Sequence, residues 1–210
     1  MAEYNFPTEM VSLPSKGWFY DSANPLASGE VELKYMTAKE EDILTSTNLI
    51  KKGIVFDKLL QALIVDKKIK YDDMLIGDKN AIMVAARILG YGKNYVIEYP
   101  HPDTDELEEV TVDLTKLKDK KVDFSNCTKG VNEFEMTLPT SKRVVTYKLL
   151  SQKDERIIDA EIKSLKKINS DVDPDITTRL KKAILSVDGD SKKQVINNFV
   201  DNEFLSRDAF

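Results

Sequence analysis

Residues 134–155, FEMTLPTSKRVVTYKLLSQKDE, change pattern halfway along. Two apolar runs, around Phe134 and around Val144, are parted by Pro139, Thr140, Ser141 and Lys142, a turn-forming set. That arrangement predicts a β-hairpin. Ser151, three residues before Asp154, then has the form of a helix-opening capping box, and Ile158, Ile162 and Leu165 follow on one helical face. A hairpin running straight into a helix predicts an α+β chain: small β-hairpin elements, a helical block before them and a helical bundle after.

Working outward, residues 1–93 read as the N-terminal strand and helical block. Val31, Leu33 and Tyr35 alternate with Glu30, Glu32 and Lys34, the period of a half-buried strand. Thr37 and Glu40 form a second capping box, so a helix is predicted there. Another is predicted from about Val55 to Val65, with Leu59, Leu60 and Leu63 on one face. A third follows Gly77, with Asp78 as N-cap, Ile82, Ala85, Ala86 and Leu89 inward, and Gly90 at its stop. In LPSKGWFY, Pro14 and Gly17 predict a tight turn that pins Trp18, Phe19 and Tyr20.

Residues 94–150 read as a β-hairpin region, with NYVIEY and EEVTVDL as one hairpin and TKLKDKK as a solvated connection. Residues 151–210 read as helices throughout. One is predicted to start with Asp173 as N-cap and Pro174 at its first position, carrying Ile176, Leu180, Ala183, Ile184 and Val187 as a stripe. The last is predicted from about Ser191, with Val195, Ile196, Phe199 and Val200 inward.

The 210 residues are 41% hydrophobic and 32% charged, enough to bury a core and remain soluble. A net charge of -5 and a pI near 5.1 argue against a protein whose work is to coat nucleic acid. No apolar run reaches membrane-spanning length, and the start lacks a basic region followed by an apolar one, so no membrane and no secretion signal are expected. The single cysteine, Cys127, fits a reducing compartment, and cytoplasmic life follows as the expectation.

Chemistry has few places to sit. His101 is the only imidazole, so any Ser–His or Cys–His device must use it, and no nucleophile elbow accompanies it. Cys127 has no local signature of a nucleophile, and carboxylates are plentiful without any pair standing out. One Cys and one His do not make a structural zinc site. Asp171, Asp173 and Asp175 imitate a calcium loop, but Pro174 lies inside it and Lys182 replaces its terminal glutamate. Gly92 and Lys93 imitate a phosphate loop, but Arg87 and Asn94 stand where its first glycine and its Ser or Thr belong. The basic runs KLKDKK and KSLKK are balanced by acids and read as solvated faces. No catalytic residue, metal or cofactor is therefore expected, and apolar and aromatic surfaces are left to act.

The segments LPSKGWFY, VELKYMTAKEEDIL, DDMLIGDKNAIMVAARILGYGKNY and FEMTLPTSKRVVTYKLLSQKDE, with the closing FLSRDAF, together resemble the baseplate hub assembly proteins of T-even-type bacteriophages. The resemblance runs over most of residues 12–210 and carries no catalytic signature. Members of this wider family often start a C-P-x-C zinc ribbon straight after the YG-x-x-Y segment. Here that stretch is YPHP, with Tyr99 and Pro102 where the cysteines stand, so the resemblance implies a ribbon tip without zinc.

What the resemblance implies is a non-enzymatic morphogenesis protein that binds baseplate hub proteins or the tape-measure protein during assembly of the central hub. The alternative within the family is a permanent hub subunit; the rivals outside it are a metal-dependent hydrolase and a nucleic-acid-binding module. Expected contact residues are Trp18, Phe19 and Tyr20 near the N-terminus, and Phe199 and Phe204 in the last helix. The ordinary alternative is that all five pack internally. Homo-oligomerisation stays open, because the apolar stripes can be satisfied within one chain or between copies.

Overall fold

The computed structural model describes residues 6–101, 107–168, 171 and 173–209. They form two compact units: residues up to Tyr71 with Gly77–Asn126, and Asp72–Ile76 with Cys127 onward. The architecture is α+β, with helices beside small antiparallel sheets.

In the first unit, Thr8–Ser12 (β1) pairs antiparallel with Glu30–Lys34 (β2), whose alternation buries Val31 and Leu33. The turn between them depends on two glycines. A Cβ on Gly17 would meet Ala27 O at 2.4 Å, and one on Gly29 would meet Lys16 backbone at 2.8 Å. Both glycines also have positive φ, so a side chain at either is excluded twice over.

Ala38–Leu44 (α1) opens with the predicted capping box. Thr37 Oγ1 accepts from Lys39 N at 3.3 Å, and Glu40 Oε2 accepts from Thr37 N at 3.0 Å. A short helix, Thr47–Lys52 (α2), precedes Val55–Leu63 (α3), which buries Leu59, Leu60 and Leu63. The sequence pattern extends α3 to Val65, but the sheet edge captures its end: Ile64 bridges Leu33, and Val65 N donates to Glu32 O at 3.0 Å. Ile76–Tyr91 (α4) runs through Gly90, where a Cβ would lie 2.6 Å from Met36 Sδ. Gly90 is thus a packing glycine; the helix stops one residue later, at Tyr91, and Gly92 at φ 81° donates to Ile88 O.

Asn94–Pro100 (β3) and Leu107–Asp113 (β4) pair as the predicted hairpin, and the connection after it is exposed.

The second unit is built on a three-stranded antiparallel sheet of Phe134–Thr137 (β5), Val144–Tyr147 (β6) and Ile184–Val187 (β7), in that order. Gln152–Ile168 (α5) starts at the predicted box: Ser151 N and Oγ donate to Asp154 Oδ2, and Asp154 N donates to Ser151 Oγ. Asp72–Ile76 joins this unit through Gln152 N to Met74 O at 2.8 Å and Ile76 N to Leu150 O at 3.0 Å. Asp175–Ala183 (α6) begins one residue later than predicted, leaving Pro174 as its cap position.

The expectation that everything after Ser151 is helical is corrected here. The stripe from Ile176 to Val187 breaks at Ala183, and β7 replaces its second half. Pairing with β6 satisfies that backbone, and Leu185 has no partner in the register, so Ile184 and Val187 both reach the core although they are three apart. Lys193–Asn198 (α7) then passes into a π-helical turn, Phe199–Glu203. Leu138, Val145, Ile184, Val187, Ile196, Phe199 and Val200 make one cluster.

Glu40 is 1% exposed, and its carboxyl is strongly shifted. Burial pushes it up, but hydrogen bonds from Lys34 Nζ (2.8 Å) and from the Thr37 hydroxyl (2.6 Å) and backbone outweigh that and bring it from 4.5 to about 2. A depressed carboxyl contributes stability that is complete above its unfolded value and is lost as pH falls through the folded one. The contribution is up to about 3 kcal/mol, lost between about pH 5 and 2. Glu40→Gln is expected to lower neutral stability by about 2 kcal/mol and to flatten the acid limb over that window, measured by urea unfolding at several pH values. An acid limb as steep as the parent's refutes the assignment.

Candidate partner-binding surfaces

The N-terminal aromatic trio is held by the turn that LPSKGWFY forms. Phe19 and Tyr20 are buried and Trp18 is half-buried. Trp18 stacks on Phe124 with ring centres 4.9 Å apart and planes at 18°, and Phe19 lies 5.9 Å from the same ring. Tyr20 OH donates to Asp78 Oδ2 at 2.6 Å; Ser15 N and Oγ donate to the same carboxyl at 2.9 and 2.7 Å. Asp78 is therefore not the N-cap of α4. It is the third residue of the helix, 1% exposed, and it ties the turn to the helix start. Of the trio, Trp18 keeps open surface.

In the second unit Phe199 is buried and meets Phe204 edge-to-face at 5.7 Å and 87°. Arg143 lies over the Phe199 ring at 5.3 Å and bonds both Glu203 (2.6 Å) and Asp188. Glu203 first, then Asp188, raises the guanidinium's pKa further above its ordinary range. Phe204 is half-buried, on the wall of a groove of about 690 Å³ shared with Met136, Tyr147, Ile176, Leu180 and Val200. At the groove's end, Asp208 accepts from Thr140 N (2.6 Å) and Ser141 N (3.2 Å), fastening the last turn to the β5–β6 turn. Ile176, read from sequence as the first residue of an inward stripe, is 69% exposed on this rim. α6 buries Thr178 instead, which the 3.6-residue period does not single out.

The β3–β4 hairpin is the surface that sequence reading missed. Every residue of β3 is exposed. Its register puts Tyr95, Ile97 and Tyr99 on one face with Val112, Val110 and Glu108, and Val96, Glu98 and Pro100 on the other with Thr111, Glu109 and Leu107. Tyr99 OH donates to Glu108 at 2.9 Å, and Arg87 lies 5.6 Å from the Tyr95 ring at the hairpin's base. The signal was present in the alternation of Tyr95, Ile97 and Tyr99, but alternation alone does not say whether a face is covered. His101 leaves β3 as a half-buried loop residue. Pro102 lies outside the described residues.

Among the described residues, no group of three or more His, Cys, Asp or Glu side chains is placed to hold a metal ion, and no helix is long and apolar enough to cross a membrane. Residues 10–204 match the family model described as T4 bacteriophage base plate protein. The chain belongs to that family. No curated protein and no solved structure matches it. Membership supports a role connected with the bacteriophage baseplate and its proteins, structural or morphogenetic. Its described surface includes a half-buried tryptophan, an apolar groove and an exposed two-stranded arm.

The buried core and the groove rim are expected to separate on mutation. Phe199→Ala removes a fully buried ring and is expected to cost about 3–5 kcal/mol in urea unfolding. Ile176→Lys, on the exposed rim, is expected to stay within about 0.5 kcal/mol of the parent. Equal costs at the two positions contradict this placement.

Proposed function

We propose that this baseplate-family protein is a non-enzymatic assembly factor for the central hub. It holds hub proteins or the tape-measure protein through apolar surfaces while the baseplate is built, and it works in the host cytoplasm. The observation that carries the proposal is the family match over residues 10–204 together with apolar surface left open on both units. Trp18 and Phe204 are the side chains offered to a partner; Phe19, Tyr20 and Phe199, packed behind them, set their position. An acidic, 32% charged chain favours release over permanent burial, because obligate interfaces are large and apolar.

The test is affinity capture of a tagged copy from infected cells, with mass spectrometry of the captured complex and of purified mature particles. Hub or tape-measure proteins in the capture, with this chain missing from particles, is the expected result. Presence in particles at fixed stoichiometry makes it a permanent subunit and overturns the release step. Trp18→Ala with Phe204→Ala is expected to abolish capture while the circular-dichroism spectrum is kept; capture that survives the double substitution removes these residues from the contact.

A further inference from the structure

The sheet of the second unit ends on an open strand. Its order is β5–β6–β7, so β5 has a neighbour on one side only. The register says which backbone groups face the open side. Leu138 N donates to Arg143 O at 2.8 Å, and β5 keeps the same alignment with β6, so Phe134 and Met136 also bond toward β6. Asp188 N donates to Val144 O at 2.7 Å, which turns the alternate residues of β6 toward β7 and confirms the phase. Glu135 and Thr137 therefore direct their N–H and C=O groups outward. Both residues are exposed, and no strand among the described residues pairs with them there.

The two faces of this edge differ in chemistry. Met136 shares a face with Leu138, Val145 and Tyr147, which line the groove of about 690 Å³ together with Ile176 and Leu180 of α6. Met136 is 41% exposed, so the groove face is open at the strand edge. Glu135 lies on the other face, opposite Thr146, and makes no ion pair among the described residues. Glu133, just ahead of the strand, is exposed as well.

An open edge takes an extended peptide by main-chain hydrogen bonds, and a groove on the same face selects its alternate side chains. In an antiparallel pair, directly opposite residues share a face, and bonded positions alternate with non-bonded ones. The residues that bond to Glu135 and Thr137 therefore hold their side chains on the acidic face, where a basic group opposite Glu135 is favoured. The residue opposite Met136 turns toward the groove face, where an apolar side chain is favoured.

We propose that β5 receives an extended segment of a partner protein, alternating apolar and basic residues, as a further antiparallel strand of this sheet. The proposal rests on the reading of the groove as a partner surface and names the form the partner takes there.

The experiment uses the full chain and a short fluorescein-labelled peptide of alternating leucine and lysine, followed by fluorescence anisotropy. A peptide of the same composition, with leucines and lysines in separate blocks, is the control and is expected not to bind. N-methylation at the lysines removes the donors that face β5 and is expected to abolish binding; N-methylation at the leucines touches only the far edge and is expected to keep it. Thr137→Pro removes one outward N–H and leaves the bonds to β6 in place, since proline is tolerated where its nitrogen faces solvent on an edge strand. It is expected to keep the urea unfolding midpoint and to weaken peptide binding about tenfold. Amide exchange read by NMR is expected to slow at Glu135 and Thr137 on peptide addition and to stay unchanged at Met136. Equal binding of the two peptides, or binding indifferent to lysine methylation, overturns the proposal. So does the absence of new protection at Glu135 and Thr137, or protection of both in the free protein through self-association. Hub-protein capture that Thr137→Pro leaves intact also overturns the strand contact while the assembly factor stands. Peptide binding with these signatures but no hub capture does the reverse, which separates the two readings.

Discussion

The first unit depends on one buried carboxyl. Asp78 accepts from Ser15 N, Ser15 Oγ and Tyr20 OH inside the first turn of α4. A buried acceptor left without donors costs about 1–3 kcal/mol, more when charged, so the three donors and the carboxyl specify one another. Because Ser15 and Tyr20 bracket Gly17 and Trp18, the same contact fixes the turn, presses Phe19 inward and leaves Trp18 stacked on Phe124 at the edge. The N-terminus of a helix also favours negative charge, which suits an acid at this position.

A comparable tie closes the second unit. Asp208 fastens the last turn to the hairpin between β5 and β6, and Arg143 joins Asp188 and Glu203 over the Phe199 ring. Asp208 also lines the apolar groove, so its bonds to the β5–β6 turn fix one end of that groove. Both units use the same division of labour: aromatic residues behind, one aromatic at the edge, and carboxyls fixing the backbone between them. That division explains why a set of five aromatics read from sequence splits into three buried rings and two partly open ones.

Family membership directs attention to surfaces. The exposed apolar area is distributed over separate elements: the arm, the groove rim at Ile176 and the second half of α5. A chain with several such surfaces is suited to touching more than one neighbour, as a baseplate requires.

Much of this was legible in the residues themselves. Both capping boxes, the three inward leucines of α3, the two hairpins and the alternation of β2 are local devices whose partners lie within a few positions, so spacing alone reveals them. The role of Asp78 was not legible, because its donors lie 58 and 63 positions away. Nor was β7: Ile184 and Val187 fit a helical stripe as well as a bulged strand, and only a neighbouring strand with open hydrogen-bonding groups decides between them. The same limit holds for the arm and for Ile176. Periodicity states which side chains share a face; whether that face is covered depends on non-local packing, which the tertiary structure alone decides.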